Sequence, residues 1–311
     1  MIKKRKSFFS KFKLAFLSSP VFIILVAMLL LNWQTGIFSP DKVDDRDSEY
    51  WNFTSSGFIE GAEPFSLEGN NETCWLLIHS YTATPAEMKE LATALNSKFN
   101  DTIVVPALDG HGKLPSQVQD KNLSYWYTQM ENEFLNLKGS CDKVNVVGSS
   151  FGSALSVHLA EEQELNNVYL LNTFLYLSKP WYSIVPRGVY ISLFADYLHY
   201  SKKGQLARIN DEEGLKTHLA YWNMPYTPVK RSFPFIAETI INISKITEPL
   251  FIAHSPNDVV ANPKNAILLS NLSSTTQKEV HWYPESNHVL LKDFNRKQLI
   301  ADIIKFEEAR R

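Results

Sequence analysis

A serine flanked by glycines lies between an apolar run and an amphipathic stretch, a position suited to nucleophilic catalysis. The segment Gly148-Ser149-Ser150-Phe151-Gly152 has the pattern G-x-S-x-G, with Ser150 at its centre. In a sharp turn between a strand and a helix, this pattern exposes the serine hydroxyl and lets both elements approach closely. The first amides of the following helix point at the same site. The motif predicts Ser150 as a nucleophile, with an incidental Gly/Ser turn as the alternative.

A serine nucleophile needs a base, and the base needs a carboxylate that orients it. Asp258 follows the apolar run at residues 250–253, and His288 follows a second run at residues 280–283. Ser150, Asp258 and His288 therefore each lie in a loop after a predicted strand. The alternatives are a turn-forming role for Asp258 and a polar loop position for His288. The chain order predicts a catalytic triad with Asp258 and His288 as the partners of Ser150.

These residues meet only if the elements before them form one sheet. Short runs rich in valine, isoleucine and leucine alternate with longer amphipathic stretches, and their length is typical of strands buried on both faces. The runs lie at residues 75–79, 102–106, 144–148, 168–171, 250–253 and 280–283. The pattern predicts an α/β fold with a mostly parallel central sheet and helices on both faces. Ligands bind such sheets at the carboxyl ends of the strands, where the three residues lie.

A long segment at about residues 174–247 separates the fourth of these runs from the fifth. It shows no alternation of strands and helices and is far longer than an ordinary connection, which predicts an inserted helical lid. The segment holds 13 aromatic residues. They either attach the lid to the sheet or line a pocket for an acyl chain or an apolar alcohol.

The composition excludes several classes of protein. The chain has 31 lysines and arginines against 33 acidic residues, a balance that argues against a nucleic-acid-binding protein. Two cysteines are too few for a disulfide scaffold or a four-cysteine zinc site, and the histidines show no metal-ligand spacing. We expect no metal and no cofactor. With 44% hydrophobic residues, the chain can bury a large core.

The N-terminal region has the pattern of a membrane anchor. Residues 1–13 carry six cations and no acid, and residues 14–33 carry no charge. As a helix, residues 14–33 would be roughly 30 Å long, the thickness of the hydrocarbon core of a bilayer. The pattern predicts a cytoplasmic tail at 1–13, a transmembrane signal anchor at 14–33, a hydrated linker at 34–57 and an extracytoplasmic domain at 58–311. A cleaved signal peptide and a buried helix are the alternatives.

The motifs together resemble the serine hydrolases of the α/β-hydrolase superfamily, in particular the bacterial carboxylesterase and monoacylglycerol lipase group. The resemblance extends from about residue 61 to the C-terminus. Residues 77–88 are similar to the family segment H-G-F-T-G-[ST]-P, and residues 106–112 are similar to its P-x-x-x-G-H-G loop. The remaining support comes from the G-x-S-x-G motif and from residues 257–258 and 286–288.

The resemblance implies the α/β-hydrolase fold and acyl transfer to Ser150. In this family His288 would act as general base and then acid, and Asp258 would orient the imidazole. The amides of Tyr81 and Phe151 would form the oxyanion hole. The family's histidine at the position of His111 is more often structural than catalytic.

The sequence departs from the family pattern at Ser80 and Ala83, where the family usually has glycine. The departure concerns the backbone of the predicted oxyanion hole.

These features predict a single-pass membrane protein that cleaves carboxylic esters, including lipid-derived ones, through an acyl-enzyme. An aminopeptidase or an acyltransferase would use the same triad. A non-catalytic binding protein with the hydrolase fold is the alternative from another class. The expected partners are an ester substrate and the membrane, with no nucleic acid, and the oligomeric state is not readable from the sequence.

The resemblance also bears on the two cysteines. Cys74 and Cys141 precede two strands that are parallel neighbours in the sheet of this family, which would bring the cysteines together at the strand-entry edge. A disulfide between them and two separate buried thiols are both compatible with the sequence.

Overall fold

The computed structural model describes residues 40–179, 185–202 and 208–311. Within them the β-strands are β1 (Phe65–Leu67), β2 (Asn70–Ile78), β3 (Asp101–Val105), β4 (Lys143–Ser149), β5 (Val168–Leu171), β6 (Tyr200–Lys202), β7 (Asn223–Pro225), β8 (Leu250–His254) and β9 (Lys278–Trp282). The α-helices are α1 (Asp45–Tyr50), α2 (Lys89–Phe99), α3 (Leu123–Lys138), α4 (Phe151–Glu162), α5 (Arg187–Phe194), α6 (Glu212–Thr217), α7 (Thr227–Asn242), α8 (Lys264–Leu272) and α9 (Arg296–Glu308).

The central sheet has the strand order β1-β3-β2-β4-β5-β8-β9. Every neighbouring pair is parallel except β1 with β3, which is antiparallel at one edge. The six runs predicted as strands correspond to β2, β3, β4, β5, β8 and β9. β1 was not predicted, because three residues are too few for a periodic signal.

The sheet is covered by helices on both faces, which explains the continuous apolar runs. Successive side chains of β2 alternate between two separate hydrophobic clusters. Leu76 and Ile78 pack on one face with residues of α3 and α4, whereas Trp75 and Leu77 pack on the other with residues of α2 and α9. All four side chains are fully buried. The predicted α/β class with a mostly parallel sheet is confirmed.

Cys74 and Cys141 form a disulfide at the strand-entry edge of the sheet. Cys74 lies in β2 opposite Val144 of β4, and Cys141 lies just before β4. The Cα atoms are 6.0 Å apart, within the usual range for a bridged pair. Of the two arrangements that the sequence left open, the structure has the bridged one.

We expect the double variant Cys74→Ala, Cys141→Ala to lose about 2–4 kcal/mol of unfolding free energy, because the bridge restricts the unfolded chain. The bridge spans a sequence separation of 67 residues. Urea unfolding with and without dithiothreitol measures the effect. The reductant should destabilise the natural protein and leave the double variant unchanged. Two alkylatable thiols per chain, in protein made under oxidising conditions and denatured without reductant, would contradict the bridge.

A cap lies between β5 and β8, in the segment predicted as a lid. Its described part contains α5, α6 and α7, together with a two-stranded antiparallel sheet of β6 and β7 that the sequence did not predict. Helix α7 packs against α3 and α4. Phe235 of α7 is buried, with its ring against those of Tyr127 and His158. Part of the aromatic content therefore attaches the cap to the body of the domain.

The predicted tail at 1–13 and anchor at 14–33 lie outside the described residues. Among the residues that are described, none of the helices has the length and apolar character needed to cross a bilayer.

The described part of the predicted linker, residues 40–57, differs from expectation because it packs on the cap. Asp47 of α1 is fully buried, and its carboxylate accepts the amides of Trp222 and Asn223 at 2.8 and 3.1 Å. The side-chain amide of Asn223 donates to the carbonyl of Val43 at 2.8 Å. An acidic stretch is normally solvated, but here one carboxylate satisfies two amides at the start of β7. The folded domain therefore includes this segment.

Candidate active site

Ser150 occupies a strained turn between β4 and α4. Its backbone angles are φ 53° and ψ −110°, a conformation that L-residues rarely adopt. The flanking glycines permit the turn, because a Cβ on Gly148 would lie 2.3 Å from the carbonyl oxygen of Gly152. A Cβ on Gly152 would lie 2.2 Å from the carbonyl oxygen of Ile78. The close approach of strand and helix thus requires glycine at both positions.

The three predicted triad residues come together at the carboxyl ends of β4, β8 and β9. Ser150 Oγ lies 2.8 Å from His288 Nε2, and His288 Nδ1 lies 2.8 Å from Asp258 Oδ2. Ser150, Asp258 and His288 are all buried. With Nδ1 donating to the carboxylate, Nε2 is the acceptor for the serine hydroxyl. The arrangement can take a proton from Ser150 and hold it on His288.

Backbone amides hold the Asp258 carboxylate in place. Its Oδ1 accepts the amides of Val260 at 2.7 Å and Ala261 at 3.0 Å, which leaves Oδ2 directed at His288. A second histidine, His254, has its Nε2 3.5 Å from Oδ2. Burial lowers the pKa of His254 to about 4. His254 is therefore uncharged at neutral pH and forms no ion pair with the carboxylate there.

Asn172 joins the loops of the acid and the base, a role that the sequence analysis missed. Its Nδ2 donates to the carbonyls of Asn287 and His288 at 2.9 and 2.6 Å, and its Oδ1 accepts the amide of Ser255 at 2.8 Å. The side chain is buried directly after β5. The available signal was its position, since a polar residue at the carboxyl end of a strand borders the site in such sheets.

The predicted oxyanion-hole residues, Tyr81 and Phe151, lie next to each other beside Ser150. Their ring centroids are 4.9 Å apart, and both residues line the same pocket as Ser150 and His288. The hydroxyl of Tyr81 donates to the carbonyl of Pro225 at 2.8 Å, which ties this loop to the cap. Phe151 begins α4, so its amide is one of those at the helix start.

The two positions that depart from the family pattern have defined roles in this loop. The amide and the hydroxyl of Ser80 both donate to Oε2 of Glu87, the amide at 3.1 Å. Ala83 is buried, and its amide donates to the carbonyl of Ser80 at 3.2 Å. Glu87 itself is buried. The buried Ser80–Glu87 contact therefore positions the chain immediately before Tyr81.

We expect Glu87→Gln to lower kcat/KM for an ester by roughly tenfold, because a charge-assisted acceptor of two hydrogen bonds becomes a neutral one. The loss should fall mainly on kcat, since the oxyanion forms only in the transition state. Steady-state kinetics separates the two parameters. Glu90→Gln is the matched control: Glu90 is exposed and pairs with Arg296 at 3.5 Å, a contact of little energetic weight. Equal losses in both variants would contradict the role of Glu87.

His79 and His111 are buried beside this loop, and neither is part of the triad. His79 Nε2 accepts the amide of Leu108 at 3.1 Å, and its Nδ1 contacts the carbonyl of Ser80 at 2.9 Å. Burial lowers the pKa of both histidines. They are uncharged structural groups that connect the two family-like loops.

A pocket of about 340 Å³ opens beside Ser150 and His288. Its lining includes aromatic and aliphatic cap residues, among them Phe174, Tyr190 and Ile191. Cap aromatics therefore line the pocket as well as attaching the cap. In the described part of the chain, no group of histidine, cysteine, aspartate and glutamate residues could hold a metal ion.

The chain is similar to known lipases and esterases. The chain is 29% identical over 254 residues to a thermostable monoacylglycerol lipase of Bacillus sp. (strain H-257), a match that covers 80% of this chain and 95% of that protein. It is 24% identical over 247 residues to a carboxylesterase of Bacillus subtilis (strain 168), covering 79% and 96% respectively. No protein-family model matches the chain.

Among solved structures, a chain from work on the metagenome-derived lipolytic enzymes LipS and LipT superimposes with a TM-score of 0.72. It is 25% identical, and the match covers 80% of this chain and 98% of that one. The resemblance predicted from the motifs is confirmed. The chain therefore has the α/β-hydrolase fold and is a serine hydrolase of the esterase and lipase type, similar to monoacylglycerol lipases and carboxylesterases.

Proposed function

We propose that the protein cleaves carboxylic esters of acyl chains through an acyl-enzyme on Ser150. The observation that carries the proposal is the continuous hydrogen-bonded series from Ser150 Oγ through His288 to Asp258, which borders a largely apolar pocket. Named lipase and esterase relatives support the same reaction class.

The first half of the reaction forms the acyl-enzyme. His288 Nε2 takes the hydroxyl proton as Ser150 Oγ attacks the ester carbonyl, and Asp258 stabilises the imidazolium. The tetrahedral oxyanion is stabilised by the amides of Tyr81 and Phe151. The intermediate then collapses: the bond from the carbonyl carbon to the alcohol oxygen breaks, and His288 returns the proton to that oxygen.

The second half releases the acid. A water molecule gives its proton to His288 Nε2 and attacks the acyl carbon, and the same amides hold the second oxyanion. Ser150 leaves and regains the proton from His288. The carboxylic acid is released and Ser150 is regenerated, so one cycle converts one ester and one water into one alcohol and one acid.

A substrate panel tests the proposal. Purified protein is assayed with p-nitrophenyl esters of increasing acyl length, with monoacylglycerols and with aminoacyl amides. We expect turnover of the two ester sets and labelling of Ser150 by a fluorophosphonate. Turnover of the amides alone would indicate an aminopeptidase, and acyl transfer to an added alcohol in preference to water would indicate an acyltransferase. Absence of both labelling and turnover would indicate a binding protein.

The proposal includes anchoring of the enzyme to a membrane by residues 14–33. The uncharged segment 14–33 after a cationic tail supports an anchored enzyme that takes substrate from a lipid surface. A chain that begins at Asp41 is compared with the full chain by alkaline extraction of membranes. The full chain should stay in the membrane fraction, and the shorter one should not. Protease added to spheroplasts should cleave the hydrolase domain, because protease reaches only an extracytoplasmic domain. Full extraction of the longer chain would reject the anchor.

A further inference from the structure

Two arginines line the pocket in which an ester would bind. Arg187 and Arg208 both contribute to its wall, together with Ser150 and His288. Among the described residues that form the lining, these are the ionised side chains at neutral pH, and no aspartate or glutamate is present. An apolar ester needs no cation in its pocket. The charge of the lining is therefore unexplained by hydrolysis of a neutral ester.

Arg208 lies directly beside the histidine of the triad. Its carbonyl accepts the amide of His288 at 3.0 Å, so the two backbones are in contact, and its side chain is exposed at the pocket. Two acids of this region have other partners. Asp211 forms an ion pair with Arg296, and the buried Asp293 accepts the amides of Asn210 and Asp211, both at 3.0 Å.

Arg187, at the start of α5, contacts the loop that carries Asp258. Its guanidinium donates to the carbonyl of Val259, the residue after Asp258. Each arginine is thus joined to one of the loops that carry the acid and the base of the triad. Asp258 itself does not line the pocket, and its oxygens accept hydrogen bonds from His288 and from two backbone amides.

We propose that Arg187 and Arg208 form a subsite for an anionic group, so that the substrate is an acyl ester carrying a phosphate or a carboxylate. This inference rests on the proposed ester hydrolysis and names its substrate class. A guanidinium matches such groups because its planar donors can make two parallel hydrogen bonds to their oxygens. Attachment of the cap to the triad loops is the rival role for the two side chains.

Two pairs of substrates differ only in the anionic group. Monooctanoylglycerol is compared with its phosphate monoester, and p-nitrophenyl hexanoate with the p-nitrophenyl monoester of adipic acid, all below their micelle concentrations. We expect kcat/KM of the anionic member to exceed that of the neutral member by roughly tenfold in at least one pair at low salt. If the anionic member is preferred in the first pair, the anionic group of the substrate is a phosphate on the alcohol. If it is preferred in the second pair, the anionic group is a carboxylate on the acyl chain. Equal rates in both pairs would overturn the proposal.

Variants and salt then distinguish binding of the anion from attachment of the cap. In Arg208→Gln and in Arg187→Gln, the ratio of anionic to neutral kcat/KM should fall roughly tenfold, with partial recovery in Arg208→Lys. Arg231→Gln, which removes an exposed arginine of α7 outside the pocket, should keep the natural ratio. Added salt should lower the ratio in the natural protein, because the subsite opens to solvent.

A merely structural role would lower both rates together, leave the ratio unchanged and so reject the subsite. Failure of the proposed function has a different signature, because no ester of either kind would then be hydrolysed and no fluorophosphonate label would depend on Ser150.

Discussion

Ser150→Ala is expected to abolish ester hydrolysis and fluorophosphonate labelling while the protein stays folded. Loss of the nucleophile in comparable serine hydrolases lowers kcat by about 10⁴- to 10⁶-fold. The residual rate would come from the oxyanion hole and from substrate binding. The measurement is steady-state hydrolysis of a p-nitrophenyl ester, with circular dichroism and the unfolding midpoint as evidence of folding.

Ser149→Ala is the matched control for this variant. Ser149 is the neighbouring residue, equally a serine and also buried, but it ends β4, and the hydroxyl that contacts His288 is that of Ser150. We expect its variant to retain labelling and most of the activity. If Ser149→Ala removed the label and Ser150→Ala kept it, the assignment of the nucleophile would be wrong.

Asp258→Asn is expected to lower kcat by about 10⁴-fold, because the histidine tautomer would change. The carboxylate oxygen Oδ2 accepts the proton of His288 Nδ1 at 2.8 Å. An asparagine can still accept the amides of Val260 and Ala261 through its oxygen, so its NH₂ group would face His288. That group cannot accept from Nδ1, and the imidazole would then carry its proton on Nε2 and lose the acceptor for Ser150.

The tautomer argument predicts a specific kinetic result. The fall should lie in kcat and in the rate of fluorophosphonate labelling, with KM little changed, because the pocket is intact. Asp120→Asn removes a carboxylate of the same type from the surface and should behave as the natural protein. A fall of less than tenfold for Asp258→Asn would mean that another group orients His288.

The cap is joined to the loop that carries Tyr81 as well as to the triad loops. The amide of Tyr221 donates to the carbonyl of Thr82 at 2.9 Å, and the hydroxyl of Tyr81 donates to Pro225 next to β7. Asp47 of α1 binds the same stretch of the cap through Trp222. The segment that follows the predicted anchor is therefore connected, by a short series of hydrogen bonds, to the loop expected to stabilise the oxyanion.

The sequence by itself determined the main sheet and the triad candidates. Buried parallel strands appear as short apolar runs, and the G-x-S-x-G turn between such a run and a helix is a local pattern complete within five residues. Asp258 and His288 were found because each follows a predicted strand, and parallel strands bring their carboxyl ends to one edge. The three-residue β1 and the β6–β7 pair were missed because their runs are too short for a periodic signal.

Only the tertiary structure decided which distant partners each polar side chain has. Asp47 accepts an amide 175 residues away, and Asn172 bonds a carbonyl 116 residues away, although both residue types are common in exposed loops. The contact of Glu87 with Ser80, and the position of Arg187 and Arg208 around the pocket, likewise have no local pattern. The physical reason is that periodicity arises within one element, whereas the partner of a buried polar group depends on how separate elements pack.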